Sequence, residues 1–130
     1  STLMRSSAAS DVYKRQVDGC DNFSTRYLIN DICAEMGKVY VYGAICGFEG
    51  QVSVFHYGEE KKSYRDLYPD EEEMRRMPPP PKGVMGITPA VTGSIEATEV
   101  LKIICGFGEV LSGKLWTIDL RTLQSNKFSL

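Results

Sequence analysis

"QVDGCDNFSTRYLINDICAEMGKVYVYGAI", residues 16–45, contains a strand, a helix and a second strand. "QVDGC" reads as the end of a buried strand. Across residues 24–36, Leu28, Ile29, Ile32, Cys33 and Met36 recur at helical spacing, with Arg26, Asn30 and Glu35 on other faces. Gly37 is placed to end that helix in a left-handed cap. "VYVYGAI", residues 39–45, is β-branched and aromatic, the composition of a buried strand. Strand, helix, strand at these separations predicts a βαβ unit with parallel strands and a right-handed crossover.

The remainder extends this into an α/β fold. "EGQVSVFHY" is a further strand, half alternating. The character then changes: of the 25 residues 58–82, thirteen are charged, and the stretch closes on four prolines, residues 78–81. So polar a segment is expected to be a long crossover loop, mobile without a partner, with Tyr64, Leu67 and Tyr68 pinning part of it. In "GITPAVTGSIEATEVLKIICG" Thr88 is placed to cap a helix, Pro89 to start it and Gly106 to end it. Its expected buried stripe is Ala97, Val100, Leu101, Ile104 and Cys105, with Glu96, Glu99 and Lys102 outside. Gly93 inside that helix costs on the order of 1 kcal/mol against alanine, which suggests a close backbone neighbour. "KLWTIDL" and "LQSNKFSL", separated by Arg121 and Thr122, predict a terminal antiparallel hairpin.

Composition bounds the function. The chain has 130 residues, 42% of them apolar, enough for one core. A net charge of −2 gives no field that would draw in nucleic acid or an anionic membrane. The longest nearly apolar run, residues 39–48, falls far short of a membrane span. "STLMRSSAASDVYKRQ" lacks the apolar core of a signal peptide, so a cytoplasmic location is expected. Cysteines stand at 20, 33, 46 and 105, with no C-x-x-C pair among them. They read as reduced thiols, those at 33 and 105 on apolar helix stripes.

Asp21 and Asn22 lie after the first strand and before its helix, where open α/β sheets bind ligands. Two readings stand there. Asp21, Asn22 or Ser24 caps the helix, or the Asp21 carboxylate holds a magnesium ion on nucleotide phosphates.

"DGCDNFSTRYLIND", "YGAICGFEGQVSVF", "KGVMGITPAVTGSIEATEVLK" and "SGKLWTIDL" resemble, in order and spacing, consecutive blocks of the ThiF/MoeB/HesA family, bacterial relatives of ubiquitin-activating enzymes. The resemblance spans residues 17–130. It implies a Rossmann-like mixed sheet, specifically the C-terminal half of that fold. It also implies an adenylyltransferase that uses Mg-ATP to activate the C-terminal glycine of a ubiquitin-like sulfur carrier, for thiamine or molybdopterin synthesis, as a homodimer at full length. The family's D-x-T-D-N block falls on residues 18–22, which makes Asp21 the magnesium-contacting carboxylate, with Asn22 and Arg26 supporting the site. Cys20 stands where the family commonly has threonine.

The departures shape the expectation. The family's Gly-rich phosphate loop should precede residue 17, yet residues 1–16 contain no glycine and read as a non-native leader. Where many members have C-x-x-C, this chain has "SYRD", residues 63–66, and His56 is its single histidine, so no zinc site is expected. The chain is therefore expected to be inactive alone. A non-catalytic binding or dimerisation module of the same fold is the alternative. An NAD-binding dehydrogenase half is weaker, because the blocks are not those of dehydrogenases.

Overall fold

Tyr40 and Tyr42 alternate with Val41 and Gly43 on one strand, and that alternation sorts the molecule into two cores. The structure is a computed structural model describing residues 15–17, 22–59, 61–78 and 86–130. In chain order its elements are β1 (Arg15–Val17), α1 (Phe23–Glu35), β2 (Val39–Cys46), β3 (Glu49–Phe55), α2 (Tyr64–Leu67), α3 (Glu71–Arg76), α4 (Ile87–Cys105), β4 (Lys114–Asp119) and β5 (Gln124–Ser129). One sheet runs β1-β2-β3-β4-β5. β1 lies parallel to β2, with Gln16 opposite Tyr40. The other neighbours are antiparallel, so the sheet is mixed, with a βαβ start and a terminal hairpin. β1 takes in Arg15 and Gln16, two residues of the expected leader.

On one face, Tyr40, Tyr42, Phe55 and Leu115 meet Tyr27 and Cys33 of α1 together with Tyr64 and Met74. On the other, Val41, Val52, Val54 and Leu111 meet Ile95, Val100 and Ile103 of α4. Two glycines set how closely α4 lies on the sheet. A side chain at Gly43 would collide with the Glu96 carboxylate, and one at Gly50 with the Thr92 hydroxyl. Gly37 and Gly106 end their helices with φ of 66° and 70°, the left-handed geometry that glycine adopts without strain.

The expected faces of both long helices are corrected in part, since Ile29, Cys33 and Val100 do pack on a core as expected. In α1, Leu28 and Met36 are about 60% exposed and Ile32 is also exposed, whereas Arg26, Tyr27 and Asn30 are buried with Cys33. Asn30 faces inward because its side-chain oxygen accepts from the Tyr64 amide at 2.9 Å, a buried backbone donor that needs a partner. In α4, Thr88, Thr92, Glu96 and Glu99 face the sheet while Ala97, Leu101, Ile104 and Cys105 are exposed. Glu99 is 1% exposed and accepts from the Leu111 amide at 2.7 Å, with Lys102 Nζ 2.6 Å away, so its charge is both bonded and paired. Thr88 is not the cap. Its hydroxyl donates to the Gly47 carbonyl at 2.8 Å, and the cap position is Gly86, without a side-chain bond.

The charged excursion is also more ordered than its composition predicts. Its described part forms α2 and α3, which pack on α1. Tyr64 is fully buried, and Leu67 and Tyr68 rest on the same core, as expected. Met74 closes over it. These four side chains supply the apolar burial that the charge count conceals.

Candidate functional site

The first turn of α1 is the place where sequence and resemblance converge. Asp21, the expected magnesium contact, lies outside the described residues. Asn22 is the N-cap, its side-chain oxygen accepting from the Thr25 amide at 2.8 Å, which answers the question of which residue caps. One turn on, Arg26 is 7% exposed, its guanidinium carbon 5.8 Å from the centre of the Tyr42 ring. The structure thus brings Asn22 and Arg26 together on one helix end.

Behind Arg26 stands a cluster of tyrosines. Tyr64 lies 4.8 Å from Tyr27, 5.2 Å from Tyr42 and 5.4 Å from Tyr68 between ring centres. Gln51 donates to the Tyr42 hydroxyl at 2.7 Å and the Tyr68 hydroxyl at 3.1 Å, and Tyr27 donates to the Tyr68 carbonyl at 2.7 Å. Burial pushes the Tyr42 and Tyr64 phenols well above the ordinary range, against the opposing pull of Arg26. Both are neutral at physiological pH.

Arg65 joins three elements. Its Nε and Nη2 donate to Asp31 at 2.9 and 2.7 Å, Nη2 also reaches Glu71 at 2.9 Å, and its plane covers the Tyr27 ring at 4.9 Å. The guanidinium holds the Asp31 carboxyl below its usual range. Ser63 and Asp66, at the ends of "SYRD", form a capping box: Asp66 accepts from the Ser63 amide at 2.7 Å, and Ser63 Oγ accepts from the Arg65 amide at 3.1 Å.

His56 locks the same corner. Its Nε2 lies 3.0 Å from the Asn30 side-chain oxygen and 3.2 Å from the Asn30 carbonyl. Both are acceptors, so Nε2 carries the proton. Burial lowers its pKa, so the native state binds protons less readily than the unfolded chain. The stabilisation is complete above about pH 6.5, the unfolded value, and is lost as pH falls through the lower folded value. Thermal unfolding midpoints should therefore decline as buffers go from about pH 7 to about 5. His56→Asn should flatten that slope.

The helix end can attract an anion. The dipole places partial positive charge at the first turn of α1, where Arg26 is buried. Sequence reasoning missed Asn30 and His56 as supports of this corner. The available signal was the spacing of Arg26, Asn30 and Cys33, an i, i+4, i+7 stripe that runs along the buried face.

A mixed sheet of this order, with a capped helix entering beside a buried arginine, defines a fold class, and comparison gives it a family. The model of the ThiF family matches residues 12–130. The chain belongs to the ThiF family. It is 46% identical over 116 residues to a probable molybdopterin-synthase adenylyltransferase of Pyropia yezoensis, a match covering 88% of this chain and 30% of that protein. It is 44% identical over 119 residues to a sulfur carrier protein adenylyltransferase of Thermus thermophilus, covering 82% and 41%. Among solved structures, E. coli MccB with ATP superposes with a TM-score of 0.70 at 17% identity, covering 92% of this chain and 39% of MccB, a likeness of fold. The chain thus spans well under half the length of these relatives. Among the described residues, no helix is long and apolar enough to cross a membrane.

Proposed function

We propose that this chain forms the C-terminal part of an adenylyltransferase acting on a ubiquitin-like sulfur carrier. The supporting observation is the family match over residues 12–130, together with relatives named for that activity. In this reading the terminal glycine carboxylate of the carrier attacks the α-phosphorus of ATP, forming an acyl adenylate and releasing pyrophosphate. Asp21 would hold magnesium, because hard carboxylate oxygen suits that ion, and the ion would offset charge on the phosphates. Asn22 caps the helix that follows Asp21 in the sequence, and Arg26, buried one turn in, supports the site.

The carrier serves thiamine or molybdopterin synthesis, the protein works in the cytoplasm as a homodimer, and it holds no zinc. Elemental analysis of purified protein should find zinc well below one ion per chain. The chain spans 30% and 41% of the relatives named for this activity, so adenylylation is placed in a longer protein that contains it. The alternative is a non-catalytic binding or dimerisation module of the same fold. The test is carrier-dependent ATP–pyrophosphate exchange, run on this chain and on a protein of the relatives' length that contains it. Exchange by the longer protein alone supports the proposal. No exchange by either, across candidate sulfur carriers, supports the module.

A further inference from the structure

Gln51 is a polar side chain in an aromatic setting. On β3 it shares a sheet face with Ser53 and Phe55, the face that carries Tyr42 and the ring cluster. It is half-buried. Its amide nitrogen has two hydrogens and meets two phenol oxygens, that of Tyr42 at 2.7 Å and that of Tyr68 at 3.1 Å. Packing alone does not require an amide here. A leucine has similar volume, and desolvating an amide is unfavourable unless its bonds are made. What the amide adds is direction, since each N–H aims at one oxygen.

The two oxygens belong to elements far apart in the chain, and both lead to the start of α1. Tyr42 is on β2, and its ring centre lies 5.8 Å from the Arg26 guanidinium carbon. Tyr68 closes α2 as its C-cap. The Tyr68 carbonyl accepts from the Tyr27 hydroxyl at 2.7 Å, and the Tyr68 ring meets Phe23, the first residue of α1, edge-on at 6.2 Å. Phe23, Arg26 and Tyr27, all within the first five residues of α1, thus each face a tyrosine that Gln51 bonds.

We infer that Gln51 is a positioning residue: through the Tyr42 and Tyr68 hydroxyls it fixes the first turn of α1, and with it the place of the Arg26 guanidinium. This rests on the function proposed above, in which Arg26 supports the adenylylation site. Gln51 touches no reacting group and acts through two rings. A supporting group works only from the right place, and a displacement of order 1 Å costs on the order of a hundredfold in rate.

Two measurements test it, the first without nucleotide or carrier. In the 130-residue chain, Gln51→Leu should speed amide hydrogen exchange at Arg26 and Tyr27 at least about fivefold, with β3, β4 and the urea midpoint nearly unchanged. Tyr68→Phe keeps the ring, removes one acceptor and should give the same local pattern, so a misfolded Gln51→Leu does not end the test. In a protein of the relatives' length, Gln51→Leu should lower kcat for carrier-dependent pyrophosphate exchange about tenfold and leave the KM for ATP within about twofold. Arg26→Lys should lower kcat as well. Because Gln51 acts through Arg26, adding Gln51→Leu to Arg26→Lys should cost less than about a further twofold.

Losses that multiply in the double variant overturn the inference. Hydrogen exchange that is unchanged at Arg26 and Tyr27, or that rises uniformly across the sheet, overturns it too. A wild-type longer protein without pyrophosphate exchange overturns the proposed function instead, and the hydrogen exchange of the chain still decides whether Gln51 fixes the first turn.

Discussion

Asp21→Asn, in a protein of the relatives' length, should reduce carrier-dependent ATP–pyrophosphate exchange at least about a hundredfold. Asparagine preserves shape and can still cap a helix, but it brings no negative charge to a divalent ion. The loss should fall on kcat more than on the apparent affinity for the carrier, because charge on the phosphates grows toward the transition state. The fold should survive, since Asn22 already caps α1 through the Thr25 amide. Exchange at the wild-type rate would return Asp21 to a structural residue and remove the magnesium assignment.

Tyr64→Ala should be the most damaging single change to stability. The side chain is fully buried and touches the rings of Tyr27, Tyr42, Phe55 and Tyr68. Truncating an aromatic residue at such a site costs about 3–5 kcal/mol, from lost burial and the cavity left behind. It would also free the segment carrying α2 and α3, which Tyr64 anchors against α1. Hydrogen exchange across residues 61–78 should then accelerate before the sheet opens. Tyr64→Phe keeps the ring and should cost far less, about 1 kcal/mol or under. A Tyr64→Ala protein with unchanged urea midpoint would mean that the cluster is not the anchor.

Much of the topology was legible because local signals agreed. "VYVYGAI" with Gly37 before it, and "KLWTIDL" ahead of Arg121 and Thr122, place strands and turns without long-range information. The faces of α1 and α4 were legible only in part, at Ile29, Cys33 and Val100, and for one reason. Each helix buries polar groups whose partners lie far along the chain: Asn30 serves the Tyr64 amide, Glu99 the Leu111 amide, Thr88 the Gly47 carbonyl. Hydrophobic periodicity cannot anticipate such partners, so it sent Leu28 and Leu101 inward and Asn30 and Glu99 outward. The order of residues 61–78 was hidden similarly. A few buried side chains and the Arg65 bridges outweigh a run of charge that simply stays in water. At the site, Asn22 and Arg26 came from resemblance, and the structure supplies what surrounds them.

The Ser63–Asp66 box closes its turn with oxygen and nitrogen atoms alone. With no thiol in residues 63–66 for peroxide to oxidise, the α2 turn keeps its shape in oxidising surroundings.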